Sequence, residues 1–363
     1  MSIIILIVIL AVLVLAHEWG HFIVAKKTGM RVDEFGIGLP PRACVLTKKN
    51  GTLFTLNWIP FGGFVKIYGE GVDGGDSKDK ETSSHLPMNK KPRWMQALVL
   101  IAGIVMNILV AYVLFAFSFI GQQQLSHDTH TFDIEKTELI TTFVAEDSPA
   151  GRAGIVPGDV ITSVLVDGVD TKMSAEEFAY LPKEDGITFS YKNNIDESQT
   201  ITLFPEELEG AEGLLIGVQT TYLDTVNLNI VDAFSYAVSF TSRVTVSVGQ
   251  SFIALIGDAF SGNANMDALS GPVGIVGVIG DVSDNSGFSG LLFLAGIISL
   301  NLAILNLIPF PALDGGRLLV VLIESIMGKN LNSQVIGIYH TVGFALLILL
   351  MIFVTVNDIV KLF

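Results

Sequence analysis

The amino-acid sequence predicts a polytopic α-helical membrane protein of about four transmembrane helices, with a membrane-associated β-hairpin and one soluble domain outside the membrane. Three observations lead there. Of 363 residues, 50% are hydrophobic and only 16% charged, and mean hydropathy is +0.58; that balance points to an integral membrane protein with one modest soluble part. Four apolar runs each reach the ~20 residues that a helix needs to cross a bilayer. The charges are also segregated: 12 of the 21 Lys and Arg lie between Lys26 and Arg93, whereas Gln122 to Ile230 carries 20 acidic residues against 5 basic ones. The excess of Lys and Arg makes the first loop cytoplasmic, the N-terminus external and the acidic domain extracytoplasmic. So acidic a soluble part excludes nucleic-acid binding. The single cysteine, Cys44, allows no intramolecular disulfide and leaves the redox compartment open.

The first transmembrane helix (residues 1–26) lacks a basic leading segment, so it reads as an uncleaved span rather than a signal peptide. Its apolar run is interrupted by His17-Glu18-Trp19-Gly20-His21. On a helix His17 and His21 share one face, with Glu18 about 100° around from His17. This is metalloprotease spacing: two neutral imidazoles bind zinc, and the Glu is placed to take a proton from metal-bound water. On a soluble helix the same five letters arise by chance fairly often. Inside a span, each ionisable group is expensive and marks a functional site by default.

Residues 27–93 form the cytoplasmic loop with the membrane-associated β-hairpin. Phe35-Gly36-Ile37-Gly38 and Pro40-Pro41 open a sheet region. Ala43 to Thr47 and Thr52 to Trp58 then flank a turn at Asn50-Gly51, the strongest short hairpin signal. Glycines here, Gly36 and Gly38 among them, suggest backbone dipping into the interface, where a polar edge could pair with an extended peptide. A plain cytoplasmic hairpin is the bland alternative. Glu70 to Lys91 reads as a mobile Gly-, Ser- and charge-rich loop.

The second span is 94–121, with Asn107 the only strongly polar group near its middle; helix–helix hydrogen bonding or substrate handling would each account for it. Residues 126–207 form the acidic domain. In 208–285, the run Val231 to Ile256 holds a central Arg243, so an interfacial helix is expected rather than a fifth crossing. The Gly-rich Ser270 to Gly277 is expected to be re-entrant. The third span (286–317) ends in Asn306-Leu307-Ile308-Pro309-Phe310-Pro311-Ala312-Leu313-Asp314-Gly315-Gly316-Arg317, where two prolines break the helix. Asp314 lies beside Arg317 at the cytoplasmic boundary, and His17 lies nine residues before Lys26. The two depths agree, which makes Asp314 the natural third ligand and leaves a fourth position open for water. The fourth span is 333–357.

The acidic domain's string from Ser148 to Val164, followed by Asp167-Gly168, looks like a PDZ domain, a module that binds peptide along a sheet edge. HEWGH together with NLIPFPALDGG resembles the site-2 proteases, intramembrane zinc metalloproteases, and more narrowly the bacterial regulator of sigma-E protease branch with one PDZ domain. The resemblance covers essentially the whole chain. It implies one zinc ion on His17, His21 and Asp314, with Glu18 as general base, and substrate positioning by Asn306, Pro309 and Pro311. It further implies single-span membrane substrates, such as anti-sigma factors or signal-peptide remnants. The protein would sit in the bacterial plasma membrane, its active site toward the cytoplasm and its PDZ domain outside, contacting peptides or screening ectodomains. The chain departs from the family in carrying Ala102-Gly103-Ile104 where relatives often place a proline after Ala-Gly.

The expected activity is hydrolysis of peptide bonds within the membrane by a zinc-dependent endopeptidase. The alternative is a PDZ scaffold with a structural metal, against which the open fourth position counts. A metal transporter would need polar residues along several spans, and the second and fourth are nearly bare.

Overall fold

The computed structural model describes residues 1–70, 87–145, 147–166, 169–170, 186–193, 197–207, 214–261 and 271–360. The chain divides into two compact units, one made of Met1–Ser118 with Phe234–Phe363, the other of Phe119–Ala233.

Helix α1 (Ser2–Lys27) is an unbroken run of helix-compatible apolar residues that ends on Lys26 and Lys27, followed by Gly29 at φ 69°. Strands β1 (Val32–Lys49) and β2 (Thr52–Ile67) pair antiparallel. The turn between them puts Asn50 and Gly51 at φ 47° and 79°, the positive-φ pair that a tight hairpin requires. Lys26 ties the turn to α1 by donating from Nζ to the Asn50 carbonyl at 2.8 Å.

The register shows more than a hairpin. Residues 34–37 pair with 53–56 on one side and with 63–66 on the other, while Arg42 to Lys49 pair with Asn57 to Thr52. Each ribbon is bent in the middle, near Pro40-Pro41 and near Pro60 to Gly62. The result is four short segments in the order 63–67, 32–38, 52–57, 42–49. Gly36 and Gly38 stand on an inner segment with neighbours on both sides. A Cβ on Gly36 would come within 2.3 Å of the Phe64 ring, and Gly38, at φ 78°, lies against the Ile59 carbonyl. Trp19 and Phe22 of α1 dock on Phe35 and Phe54 with ring centroids 5.5–5.7 Å apart.

Helix α2 (Arg93–Ser118) packs on α1 closely because both carry glycine at the crossing. A Cβ on Gly20 would stand 2.5 Å from the Ala102 carbonyl oxygen. Of the expected loop, residues 71–86 lie outside the described residues, and Met88–Lys90 forms a 3₁₀ turn.

The second unit is a sheet. Its strands are β3 (Gly121–Ser126), β4 (Ile134–Val144), β5 (Val160–Val166), β6 (Val169–Asp170), β7 (Ile187–Lys192), β8 (Ser198–Leu203) and β11 (Val218–Leu228). They run in the order β3-β11-β4-β5-β7-β8, with β6 on β5, and β9 (Glu206–Glu207) pairs separately with β10 (Leu214–Leu215). The expected 126–207 boundary is therefore too narrow. Strand β11 enters between β3 and β4, so the unit closes only beyond residue 218. Helix α3 (Pro149–Arg152) starts on Ser148, whose Oγ accepts from the Gly151 amide, a normal N-cap. The apolar core gathers Ala150, Ile155, Val164, Ile187, Phe189, Tyr191, Leu203, Ile216 and Val218. The Asp167-Gly168 turn lies outside the described residues.

Helix α4 (Ile230–Ser261) is 32 residues long. Its Phe234 meets Tyr112 and Phe117, and Phe240 meets Phe115. Helix α5 (Pro272–Leu307) is continuous except for a kink at Gly287, φ 57° and ψ −146°. The glycine-rich segment expected to be re-entrant is thus, from Pro272 on, the first turns of this helix. Its start is held by Asp358 of the last helix, whose carboxylate accepts from the Gly271 and Gly274 amides at 3.0 and 2.9 Å. Past Leu307 the chain breaks at the prolines. Asp314 then begins a separate helix, α6 (Asp314–Met327), rather than ending the third span, and α7 (Ser333–Val360) follows. Among the described residues, four helical stretches are long and apolar enough to cross a membrane: Ser2–Lys27, Arg93–Ser118, Ser286–Leu307 and Gln334–Val360. With the β elements, this is a multi-pass membrane protein.

Candidate metal centre

Asp314, 297 residues from His17 in sequence, stands against it in space. The chain reaches this arrangement because the first turn of α6 folds tightly under the end of α5. A Cβ on Gly315 would lie 2.3 Å from the Leu307 and Ile308 carbonyl oxygens, and one on Gly316 would lie 2.1 Å from that of Phe310. Two glycines after the Asp are therefore what lets the proline-broken segment turn back. Pro311 seats on Gly343 of α7 at a distance that a Cβ would close to 2.1 Å, and Ala312, at φ 75°, donates its amide to His340 Nδ1 at 3.1 Å.

Three donor atoms converge. His17 Nε2 and His21 Nε2 lie 2.9 and 3.2 Å from Asp314 Oδ2 and 3.1 Å from each other. Bond lengths of ~2.0–2.1 Å to a tetrahedral zinc ion imply donor separations of about 3.3 Å, so the triangle needs to open by only a few tenths of an ångström. It is the only set of three or more His, Cys, Asp or Glu among the described residues whose donor atoms gather this way. Both imidazoles are buried.

The backs of the imidazoles decide what their fronts can do. His21 Nδ1 donates to the Val99 carbonyl at 2.7 Å, so its Nε2 lone pair faces the cluster. His17 Nδ1 lies 3.3 Å from the Asn107 side-chain amide. With Nε2 as a ligand, His17 keeps its proton on Nδ1 and needs an acceptor. The Asn107 oxygen is buried without a partner, and exchanging the amide's O and N supplies that acceptor. Gly103 lies between them, where a Cβ would come within 2.7 Å of both imidazoles. Val99, Gly103 and Asn107 are spaced by four and share one face of α2. Sequence reasoning named Asn107 but did not connect it to His17; the four-residue spacing was the available signal.

Glu18 points to the sheet, where its Oε2 accepts from the Val65 amide at 3.0 Å. Asn306 is half-buried near the end of α5, and Pro309 and Pro311 form the break before Asp314. Gly36 and Gly38 are not brought to the cluster: segment 63–67 separates them from the sheet's free edge. A cavity of about 560 Å³ opens beside α6, lined by Glu70, Gln96, Arg317, Glu324 and His340 among others. It holds two ion pairs, Arg317–Glu70 at 2.5 Å and Arg93–Glu324 at 2.7 Å.

The profile of peptidase family M50 matches residues 5–350. Relatives cover the chain almost end to end. A zinc metalloprotease RasP of Oceanobacillus iheyensis is 30% identical over 437 residues, spanning 98% of each chain. The regulator of sigma-W protease RasP of Bacillus subtilis is 27% identical over 435 residues, spanning 100% of this chain and 99% of its own.

Proposed function

The chain belongs to peptidase family M50, and from that membership we propose that it cuts single-span membrane proteins inside the bilayer. It is a zinc-dependent metalloendopeptidase. The observation that carries the finer reading is the convergence of His17, His21 and Asp314 at the end of an apolar span. These three residues would hold the ion, and Glu18 would act beside it. Bound zinc supplies a Lewis acid for the scissile carbonyl and a water acidic enough to lose a proton near neutral pH.

The protein's own groups do the rest. Glu18 takes the proton as the water oxygen bonds to the carbonyl carbon, and it returns that proton to the amine nitrogen as the C–N bond breaks. Asn306 would donate to the developing oxyanion, and Pro309 and Pro311 would help to position the substrate. A helical substrate hides its carbonyls, so it must unwind. Segment 63–67, the sheet edge beside Glu18, offers main-chain pairing that offsets part of that cost. This pairing role, first assigned to Gly36 and Gly38, belongs to that neighbouring segment. The cavity beside α6, with Glu70, Gln96, Arg317, Glu324 and His340 in its lining, would admit water beside a membrane-embedded site. We read the unit Phe119–Ala233 as an extracytoplasmic PDZ domain that contacts peptides or excludes bulky ectodomains, and the active site as facing the cytoplasm of a bacterial plasma membrane. Substrates of this kind include anti-sigma factors and signal-peptide remnants.

The test is co-expression with a tagged single-span protein. Glu18→Gln should abolish cleavage while the purified variant keeps one zinc per chain. Turnover by that variant would refute the role given to Glu18.

A further inference from the structure

The edge of segment 63–67 is already occupied. In an extended strand, successive amides point to opposite sides. The Tyr68 amide donates to the Arg31 carbonyl at 2.9 Å, toward the inner segment. Val65 and Ile67, of opposite parity, point outward. Both outward amides are bound by carboxylates: Val65 N donates to Glu18 Oε2 at 3.0 Å and Ile67 N to Glu70 Oε2 at 3.2 Å. Glu70's other oxygen, Oε1, accepts from Arg317 Nη1 at 2.5 Å, and Arg317 lies one turn beyond Asp314 on α6. Upstream, glycines let the segment lie down on α1. A Cβ on Gly62 would stand 2.9 Å from Val14, and one on Gly63 would stand 2.7 Å from Leu15.

An unpaired strand edge is a template for any extended chain, and proteins protect such edges. Here the protecting groups are two carboxylates, one of which is the residue read above as the general base. We propose that Glu18 and Glu70 form a paired gate on this edge, which opens only when extended substrate main chain takes over the Val65 and Ile67 amides. The exchange then releases the Glu18 side chain from the Val65 amide. The proposal rests on the reading of Glu18 under Proposed function and adds Glu70 as a residue that determines specificity.

The physical consequences follow from spacing and charge. Carbonyls on one side of an extended strand recur every two residues, the spacing of the Val65 and Ile67 amides. A helical segment cannot supply them, because its carbonyls are spent on its own i+4 amides. The gate therefore selects unwound main chain rather than particular side chains, and the substrate class is a span with a helix-breaking stretch. Opening strands no charge: displaced Glu70 keeps Arg317, and both side chains are partly exposed, at 20% and 27%. Displaced Glu18 loses its Val65 partner and is left beside His17 and His21.

The experiment measures binding of a tagged single-span protein carrying a helix-breaking stretch to the full-length chain in detergent. Glu18→Gln is compared with Glu18→Gln/Glu70→Ala, so that neither cuts. Loss of one hydrogen bond to a charged acceptor should tighten binding by about ten-fold or more, and Glu70→Ala in the otherwise native chain should lower KM by a similar factor at unchanged kcat. A substrate whose stretch is replaced by a strong helix-forming run should gain nothing. Unchanged or weaker binding by the double variant overturns the gate. If instead Glu70 serves only to anchor Arg317 and α6, Glu70→Ala will raise KM with zinc retained, which also overturns it. Should the alanine variant lose zinc, Glu70→Gln in the same Glu18→Gln background decides, with about two-fold tightening expected and none overturning the proposal. Failure of the gate leaves the function intact as long as Glu18→Gln alone stops cleavage; cleavage by Glu18→Gln would sink the function itself.

Discussion

The described residues hold two His–Asp–His groupings, and only one of these gathers its donor atoms around a point. In the membrane unit, His17, His21 and Asp314 do so. In the sheet unit, Asp224 on β11 is fully buried, with His127 Nδ1 at 2.7 Å and His130 Nε2 at 3.3 Å from its Oδ2, and Thr137 donating to Oδ1 at 2.6 Å. What stands behind the imidazole makes the difference. His21 Nδ1 gives its proton to a carbonyl, leaving a lone pair in front. His130 Nδ1 instead accepts the Phe132 amide, so its proton sits on Nε2, which lies near Asp224 without a hydrogen-bond partner. The first grouping can hold a cation, whereas the second is a staple between β11, β4 and the turn after β3. Residue type does not decide which is which; the neighbour of the far ring nitrogen does.

The sharpest way to break the comparison is to count metal. One zinc per chain is expected, none in Asp314→Ala, and still one in Asp224→Ala; a second ion, or loss of zinc from the Asp224 variant, would erase the distinction. Gly103→Ala should act almost as severely as removing a ligand, because its Cβ would collide with both rings. We expect zinc content and cleavage to vanish together while the helices remain, as read by far-ultraviolet circular dichroism. Asn107→Leu comes next. It keeps the volume but removes the acceptor behind His17, and zinc affinity measured by chelator competition should fall about 10–100-fold.

These outcomes bear on what the sequence could say. HEWGH was legible because its chemistry depends on i, i+4 spacing within one helix, and Asp314 because Arg317 and Lys26 report the depth of two spans independently. The Asn50-Gly51 turn was legible for the same local reason. The bent sheet was not. A period-two pattern tells which face is buried but not which segment is the neighbour, and Gly62-Gly63 weaken the very pattern that would have announced the edge strand. Strand β11 escaped because it pairs with segments about 75 to 105 residues earlier. The kinked α5 escaped because Gly and Asp residues at 280–287 read as a break, where the structure spends one positive-φ glycine and continues the helix.

The staple should answer to acid where the metal centre answers to chelators. Burial alone would raise the Asp224 carboxyl, but the Thr137 hydroxyl and His127 outweigh it and hold the group below the ordinary carboxylate value. A carboxyl lower in the folded than in the unfolded chain stabilises fully above its unfolded pKa, about 3.9, and loses that contribution as pH falls through the folded value. Amide exchange of β11 and β4 should therefore stay slow from neutral pH to about 4 and quicken below it. Asp224→Ala should lower protection at neutral pH by about 1–3 kcal/mol, since it strands the Thr137 hydroxyl, and should flatten the acid limb.

The smallest effect expected is that of His127→Gln, and it separates the two groupings most finely. His127's side chain is 53% exposed, whereas those of His130 and Asp224 are 1% and 0% exposed. An exposed pair of this kind contributes about 0–1 kcal/mol, and glutamine can still donate to Asp224. Exchange of β11 should change by less than five-fold, zinc content should stay at one, and cleavage should be untouched. His17→Gln is the matched change in the other grouping, where the side chain is 9% exposed. There an amide cannot replace a lone pair turned toward the cluster, and zinc should be lost. Equal responses to these two substitutions would mean that the far nitrogen's neighbour does not set the role of the ring.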